Sequence, residues 1–127
     1  MRAAFVYGAL SYAVRRKVGC VVVQDDNVIA IGYNGTPPGW DNRCEGDDGL
    51  TLPEVLHAEQ NALDKLVRGG ADSVGADVFV TTAPCVHCAK LLLGARVGAV
   101  YYSNVYRNED GLNLLKRAGI PTERVEV

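Results

Sequence analysis

Short apolar runs, rich in Val, Tyr and other strand-forming residues, recur along the chain and are bounded by Gly, Asn or Asp. Runs of this length and composition predict strands that are buried on both faces of a sheet. The first two runs flank a polar turn at residues 24–27 and predict a hairpin. The predicted strands are Val18 to Val23, Val28 to Tyr33, Asp77 to Thr82, Gly98 to Ser103 and Arg124 to Val127.

Apolar side chains at helical spacing lie between these runs. Gly69-Gly70 and Gly119 stand where two of the periodic segments end, as stop signals do. Because helices alternate with buried strands, the pattern predicts an α/β domain that covers residues 1–127 and whose sheet is covered on both faces. The predicted helices are residues 2–15, Pro53 to Val67, Pro84 to Leu93 and Gly111 to Ala118.

Composition narrows the function classes. Of the 127 residues, 48% are hydrophobic and 22% are charged, which is ordinary for a soluble domain. The net charge of −2 does not favour a nucleic-acid binder, although Arg15-Arg16-Lys17 forms a local basic patch. No apolar run approaches the roughly 20 residues that cross a bilayer, and no signal peptide is recognised. We therefore expect a cytoplasmic protein, with no membrane or nucleic-acid partner, whose cysteines stay reduced.

Two short motifs carry the chemistry, His57-Ala58-Glu59 and the Pro84 to Cys88 segment. His57, Cys85 and Cys88 are one imidazole and two thiols, and a catalytic zinc ion takes three such ligands and leaves one position for water. Glu59 remains as an acid/base beside that position. Both motifs fall at predicted helix N-termini, where the helix dipole favours negative charge.

The order H-x-E, then P-C-x-x-C, is the signature of the zinc-dependent deaminases. On these residues the chain resembles the cytidine deaminase superfamily and, within it, the deoxycytidylate (dCMP) deaminases. Nucleoside deaminases of the superfamily generally have Cys where this chain has His57, and the tRNA adenosine deaminases lack a GYNGTPPG loop. The matching segments are residues 18–23 (VGCVVV), 32–39 (GYNGTPPG), 57–62 (HAEQNA), 81–85 (TTAPC) and Tyr106-Arg107.

The resemblance implies a three-layer α/β/α sandwich around a central mixed five-stranded sheet. It also implies hydrolytic deamination of dCMP to dUMP with release of ammonia, feeding dTMP synthesis. His57, Cys85 and Cys88 would bind Zn2+, which activates a water molecule. Glu59 would accept the water proton, pass it to N3 of the base and help to protonate the departing amine.

Substrate contacts follow from the same resemblance. Arg107 is the first choice for the phosphate because a guanidinium matches phosphate geometry, and Tyr106 would lie near the ligand. Arg15 and Arg16 are the alternatives. The backbone around Ala58 and Ala83 would contact the base, and Asn34 would contact the nucleotide.

Regulation and assembly are also implied. Residues 34–52 are rich in Gly, Pro, Asn and Asp, and so long a loop in a compact domain is often functional. Relatives are often activated by dCTP with Mg2+ and inhibited by dTTP, which makes Gly35, Thr36 and Asn42 a candidate allosteric loop. A homo-oligomer is expected, with a hexamer favoured, in the cytoplasm or in the host cytoplasm if the gene belongs to a phage.

Several alternatives stay open. A closed structural zinc site would need a fourth ligand, for which His87, Cys20 and Cys44 are available, and Cys44 could instead join a second zinc. The i+2 spacing predicts that His87 points away from the face of the two cysteines. A tRNA adenosine, a free nucleoside or dCTP would use the same catalytic residues. A nucleotide-binding module without activity is the remaining class.

Overall fold

The computed structural model describes residues 1–127 and contains one five-stranded sheet and four helices. The first four strands follow the apolar runs closely, whereas the last strand spans Thr122–Arg124 and the predicted strand from Arg124 to Val127 is wrong, because it is residues 122–124 that pair with the neighbouring strand. The elements are α1 (Arg2–Gly8), β1 (Gly19–Gln24), β2 (Asn27–Tyr33), α2 (Ala58–Arg68), β3 (Asp77–Thr82), α3 (Val86–Gly94), β4 (Ala99–Asn104), α4 (Asp110–Arg117) and β5 (Thr122–Arg124).

The strands lie in the order β2-β1-β3-β4-β5. β1 pairs antiparallel with β2 and with β3, while β3, β4 and β5 are parallel to one another. The parallel pairs are connected through α3 and α4, because parallel neighbours need a crossover. The prediction of a mixed five-stranded sheet is confirmed.

Two glycines show how the helices divide between the faces of the sheet. Cys20 pairs with Gly32, and a Cβ on Gly32 would collide with the Ala58 carbonyl oxygen at the start of α2. Side chains alternate along a strand, so Gly19 lies on the opposite face, where a Cβ would collide with the Ala4 carbonyl oxygen of α1. The helices α1 and α2 therefore pack on opposite faces, as the α/β/α prediction requires.

The hydrophobic core lies between the sheet and the layer formed by α2, α3 and α4. Its side chains are excluded from water, and each large aliphatic group buried there contributes about 1.5–3 kcal/mol. No helix is long and apolar enough to cross a membrane. The largest fully buried core residues are Val22, Val78, Val80, Leu92, Val100 and Leu115.

The prediction of a helix over residues 2–15 is wrong beyond Gly8. A Cβ on Gly8 would collide with the Gly19 backbone, so the chain passes β1 at contact distance there. Ser11 then competes for the backbone: its Oγ donates to the Asn34 carbonyl oxygen (2.7 Å) and accepts from the Ala13 N–H (3.1 Å). The segment between α1 and β1 is therefore irregular.

The helix predicted from Pro53 begins later, at Ala58. Gly35 and Leu56 form an isolated antiparallel bridge, in which each N–H donates to the other carbonyl at 3.1 and 2.8 Å. This pairing keeps the backbone before His57 extended. It also fixes the long loop against the start of α2.

Candidate active site and metal centre

The two motifs occupy equivalent places in the fold. His57 is the N-cap residue of α2 and Cys85 is the N-cap residue of α3. Cys88 lies in the first turn of α3, and its N–H donates to Cys85 Sγ at 3.4 Å. The prediction that both motifs fall at helix N-termini is confirmed, and the structure brings His57, Cys85 and Cys88 together.

The three donor atoms fit a zinc ion. Nδ1 of His57 lies 3.2 Å from Cys88 Sγ and 3.6 Å from Cys85 Sγ. Nitrogen and sulfur ligands at their usual distances from tetrahedral zinc are roughly 3.6 Å apart. The cluster has these three members alone, with ligand atoms within 4.8 Å of one another, and no fourth His, Cys, Asp or Glu side chain joins it. The set therefore matches an open site rather than a closed structural one.

The charges at the site prepare it for a metal and for proton transfer. A hydrogen bond from the Cys88 thiol holds the pKa of Cys85 well below its usual range, and the hydrogen bond to Cys85 raises the pKa of His57. Glu59 is only 4% exposed. Its burial raises its pKa to about 7, so this carboxyl can gain or lose a proton near neutrality.

A cavity of about 870 Å³ opens over these residues. Its size suits a small molecule such as a nucleotide. Its wall includes every residue that the sequence predicted to contact zinc or substrate except Cys88, which is buried beneath it. Those wall residues are Asn34, His57, Ala58, Glu59, Ala83, Cys85, Tyr106 and Arg107, together with the alternative cations Arg15 and Arg16.

Asn34 lines the cavity and also forms hydrogen bonds that hold the neighbouring backbone. Its Oδ1 accepts from the Val18 N–H at 2.9 Å, and its Nδ2 donates to the Arg16 carbonyl oxygen at 2.8 Å. The side chain thus attaches the segment before β1 to the end of β2.

The cations reach the cavity from two sides. Arg15 and Arg16 precede β1, whereas Tyr106 and Arg107 follow β4. The Arg107 guanidinium carbon lies 5.3 Å from the centre of the Tyr106 ring, which is cation–π distance. An anion in the cavity would therefore meet positive charge from both walls.

Residues 1–104 match the family model described as the cytidine and deoxycytidylate deaminase zinc-binding region. The chain belongs to the cytidine and deoxycytidylate deaminase family.

Relatives from fungi, animals and phages share this deaminase fold or sequence. The deoxycytidylate deaminase of Saccharomyces cerevisiae is 38% identical over 94% of this chain, and that of Mus musculus is 32% identical over 94%. This chain spans 41% of the yeast protein's own length and 74% of the mouse protein's. The dCMP deaminase from the cyanophage S-TIM5, solved in complex with dCMP and dUMP, superposes with a TM-score of 0.95 at 42% identity, covering 98% of this chain and 92% of that one.

The residues suggested for regulation are not part of the cavity wall. Gly35 is paired with Leu56, and Asn42 lies with Cys44 at a separate, shallower pocket. Cys44 is buried against Ala13 and Val55 and belongs to no cluster of three His, Cys, Asp or Glu side chains that could hold a metal ion. Cys20 is buried in the core, where burial raises its pKa. Thr36 likewise lies outside the cavity wall.

Some residues of the cavity wall were not predicted from the sequence. His87 lines the cavity, with its ring edge-on to His57 at 6.5 Å between centroids, so the expectation that it points away is wrong. The reason is that the first residues of a helix surround its end, and residues on different faces there can border one cavity. Leu50 and Thr51 come from the long loop, whose length was the one signal available.

Proposed function

We propose that this chain is a zinc-dependent deaminase that hydrolyses dCMP to dUMP and ammonia, and that residues 1–127 form a single deaminase domain. The proposal depends on one observation above all. One cavity is lined by His57 and Cys85, by the buried carboxyl of Glu59 and by a group of arginines, and Cys88 completes the donor set beneath it. Deamination needs the metal ligands and the carboxyl group, and the phosphate of a nucleoside monophosphate would explain the arginines.

The donor set would hold zinc, which supplies a Lewis acid that activates water when it is bound. Glu59 is buried beside the donors. Its carboxylate would accept one proton from the attacking water and pass it to N3 of the base, and would then carry a second proton, from the hydroxyl group newly formed on C4, to the departing amine. Its raised pKa suits both the acceptance and the return of each proton. General acid–base catalysis of this kind contributes about 10²–10⁴-fold.

The chain's other cavity residues bind and orient the nucleotide. Ala58 and Ala83 line the cavity, and because alanine has no polar side-chain group, only their backbone groups can form hydrogen bonds with the base. Asn34 contacts the nucleotide from the end of β2. Arg107 neutralises the phosphate, with Tyr106 beside it, and Arg15 and Arg16 add positive charge from the segment before β1.

Further features remain part of the proposal by resemblance alone. They are activation by dCTP with Mg2+ and inhibition by dTTP through Gly35, Thr36 and Asn42, assembly as a homo-oligomer with a hexamer favoured, and a place in the cytoplasm. Titration of dCTP·Mg2+ and dTTP into the assay, with the molar mass measured in parallel by light scattering, tests regulation and assembly together.

The central experiment measures dUMP and ammonia formed from dCMP by the purified, zinc-loaded protein. Glu59→Gln keeps the side-chain shape but cannot transfer the proton, so we expect kcat to fall by about 10²–10⁴-fold while one zinc per chain stays bound. Glu54→Gln is the matched control, because Glu54 lies just before α2 outside the cavity wall. Zinc binding without any turnover of dCMP in the unmodified chain would refute the proposed substrate.

A further inference from the structure

The segment that carries Arg15 and Arg16 has no regular structure of its own. It lies between α1 and β1, and both arginines are exposed and line the cavity. An irregular, exposed segment samples many conformations unless other groups hold its backbone. The position of these two charges therefore depends on the hydrogen bonds that hold the backbone of the segment.

Asn34 fastens one end through its bonds to the Val18 N–H and the Arg16 carbonyl oxygen. Glu45 fastens the middle. Its two carboxylate oxygens accept from the Val14 N–H at 3.3 and 3.2 Å, and one of them also accepts from the Arg15 N–H at 3.2 Å. Glu45 comes from the long loop, 30 residues further along the chain than Arg15.

The partners of Glu45 are backbone groups and not cations. The chain's one ion pair joins Arg43 to Asp47, and neither Arg15 nor Arg16 pairs with the Glu45 carboxylate. Both guanidinium groups therefore stay available to the cavity while the backbone beneath them is held. Bonds from N–H groups to a charged carboxylate are stronger than those to a neutral acceptor.

We propose that Glu45 is a positioning residue for the substrate phosphate. By binding two successive N–H groups it holds Arg15 and Arg16 at the wall of the cavity that Arg107 also lines. This inference rests on the proposed function, because it concerns a nucleoside monophosphate in the same cavity. It assigns to Glu45 a role that depends on the phosphate and not on the base or on the proton transfer.

If only the charge of Glu45 mattered, its substitution would have the opposite effect on the binding of the phosphate. Removing a carboxylate beside two arginines makes the cavity more positive, which would tighten the binding of an anion. Removing a positioning residue would loosen it. The direction of the change therefore separates the two roles.

The test compares Glu45→Ala and Glu45→Gln with Asp47→Asn, which removes a negative charge from the same loop without touching residues 14–15. We expect Glu45→Ala to raise KM for dCMP about tenfold, the effect of losing a bond to a charged group, with kcat within about twofold. Glu45→Gln retains one acceptor oxygen and should raise KM by a smaller factor. KM for deoxycytidine, which has no phosphate, should be unchanged in both.

A double-mutant cycle provides the second measurement. If Glu45 acts through the arginines, Glu45→Ala should have no further effect on KM once Arg15 and Arg16 are both alanine. A thermal unfolding curve for each variant verifies folding. Equal changes for dCMP and deoxycytidine, additive effects in the cycle, a lower KM for dCMP, or unchanged kinetics would each overturn the proposal.

Binding of product separates this inference from the proposed reaction. The affinities for dUMP and deoxyuridine are measured by calorimetry, which needs no turnover. If the unmodified chain fails to deaminate dCMP, the proposed function falls, but a Glu45→Ala variant that loses affinity for dUMP alone still supports the positioning role. An unmodified chain that binds dUMP no more tightly than deoxyuridine would overturn the inference.

Discussion

Gly111 packs directly against Pro84: a Cβ atom on Gly111 would collide with the carbonyl oxygen of Pro84 and with the backbone of Cys85. Gly111 is the second residue of α4 and is buried, and Pro84 lies in the connection from β3 to α3. The first turn of α4 thus supports the backbone that presents a zinc-ligand candidate. Residues that hold a metal ligand in place affect metal affinity although they never touch the ion.

Gly111→Ala should therefore weaken zinc binding. The added methyl group forces Pro84 and Cys85 to shift, and displaced supporting groups typically reduce metal affinity 10- to 100-fold. Competition with a chromophoric chelator measures the affinity. Gly94→Ala is the control, since a Cβ there meets nothing within 4 Å and Gly94 is not in a left-handed conformation. Equal affinities in the two variants would contradict the supporting role of Gly111.

The four cysteines should differ sharply in their reaction with iodoacetamide. Cys85 is half-exposed, whereas Cys20, Cys44 and Cys88 are buried. In zinc-free protein we expect Cys85 to be alkylated first, and zinc should protect it because a coordinated thiolate is not free to react. Peptide mass spectrometry after timed labelling identifies the modified residue, with Cys85→Ser as the control. Labelling of Cys85 at the same rate with and without zinc would argue against its role as a ligand.

Two adjacent leucines of α3 should respond very differently to truncation. Leu92 is 0% exposed in the core, whereas Leu93 is 36% exposed. Leu92→Ala should lower the free energy of unfolding by about 2–5 kcal/mol, because it leaves a cavity between α3 and the sheet. Leu93→Ala should lower it by less than about 1 kcal/mol. Urea unfolding followed by circular dichroism measures both, and similar losses would mean that α3 packs by another face.

Arg107 should matter only for substrates that carry a phosphate. Loss of a charge-assisted hydrogen bond corresponds to a rise in KM for dCMP of about 10- to 100-fold in Arg107→Ala. The KM for deoxycytidine should not change. Arg117→Ala removes the same charge from the far end of α4 and serves as the control. If Arg107→Ala changes both substrates alike, Arg107 supports the loop after β4 rather than the phosphate.

The local sequence pattern was sufficient to predict most of the strands and the residues of the candidate metal site. The apolar run from Asp77 to Thr82 is a strand with the same bounds in the structure, because strand length and burial on both faces leave a direct mark on residue type. The sequence also predicted the candidate metal ligands His57, Cys85 and Cys88 and the candidate acid/base Glu59. Ligand identity and spacing are properties of short segments, and a helix start brings them to predictable places.

Contacts between distant segments account for the rest. Helix α1 ends at Gly8 because β1 lies against it, and α2 starts at Ala58 because Leu56 pairs with Gly35. The hydrophobic periodicity of these two segments gives no sign that β1 or Gly35 lies beside them. No motif in the sequence distinguishes Glu45 from its neighbours in the long loop, and only the fold brings its carboxylate within hydrogen-bonding distance of the Arg15 N–H. Such contacts join residues tens of positions apart, and only the packing of the helices around the sheet brings them within hydrogen-bonding distance.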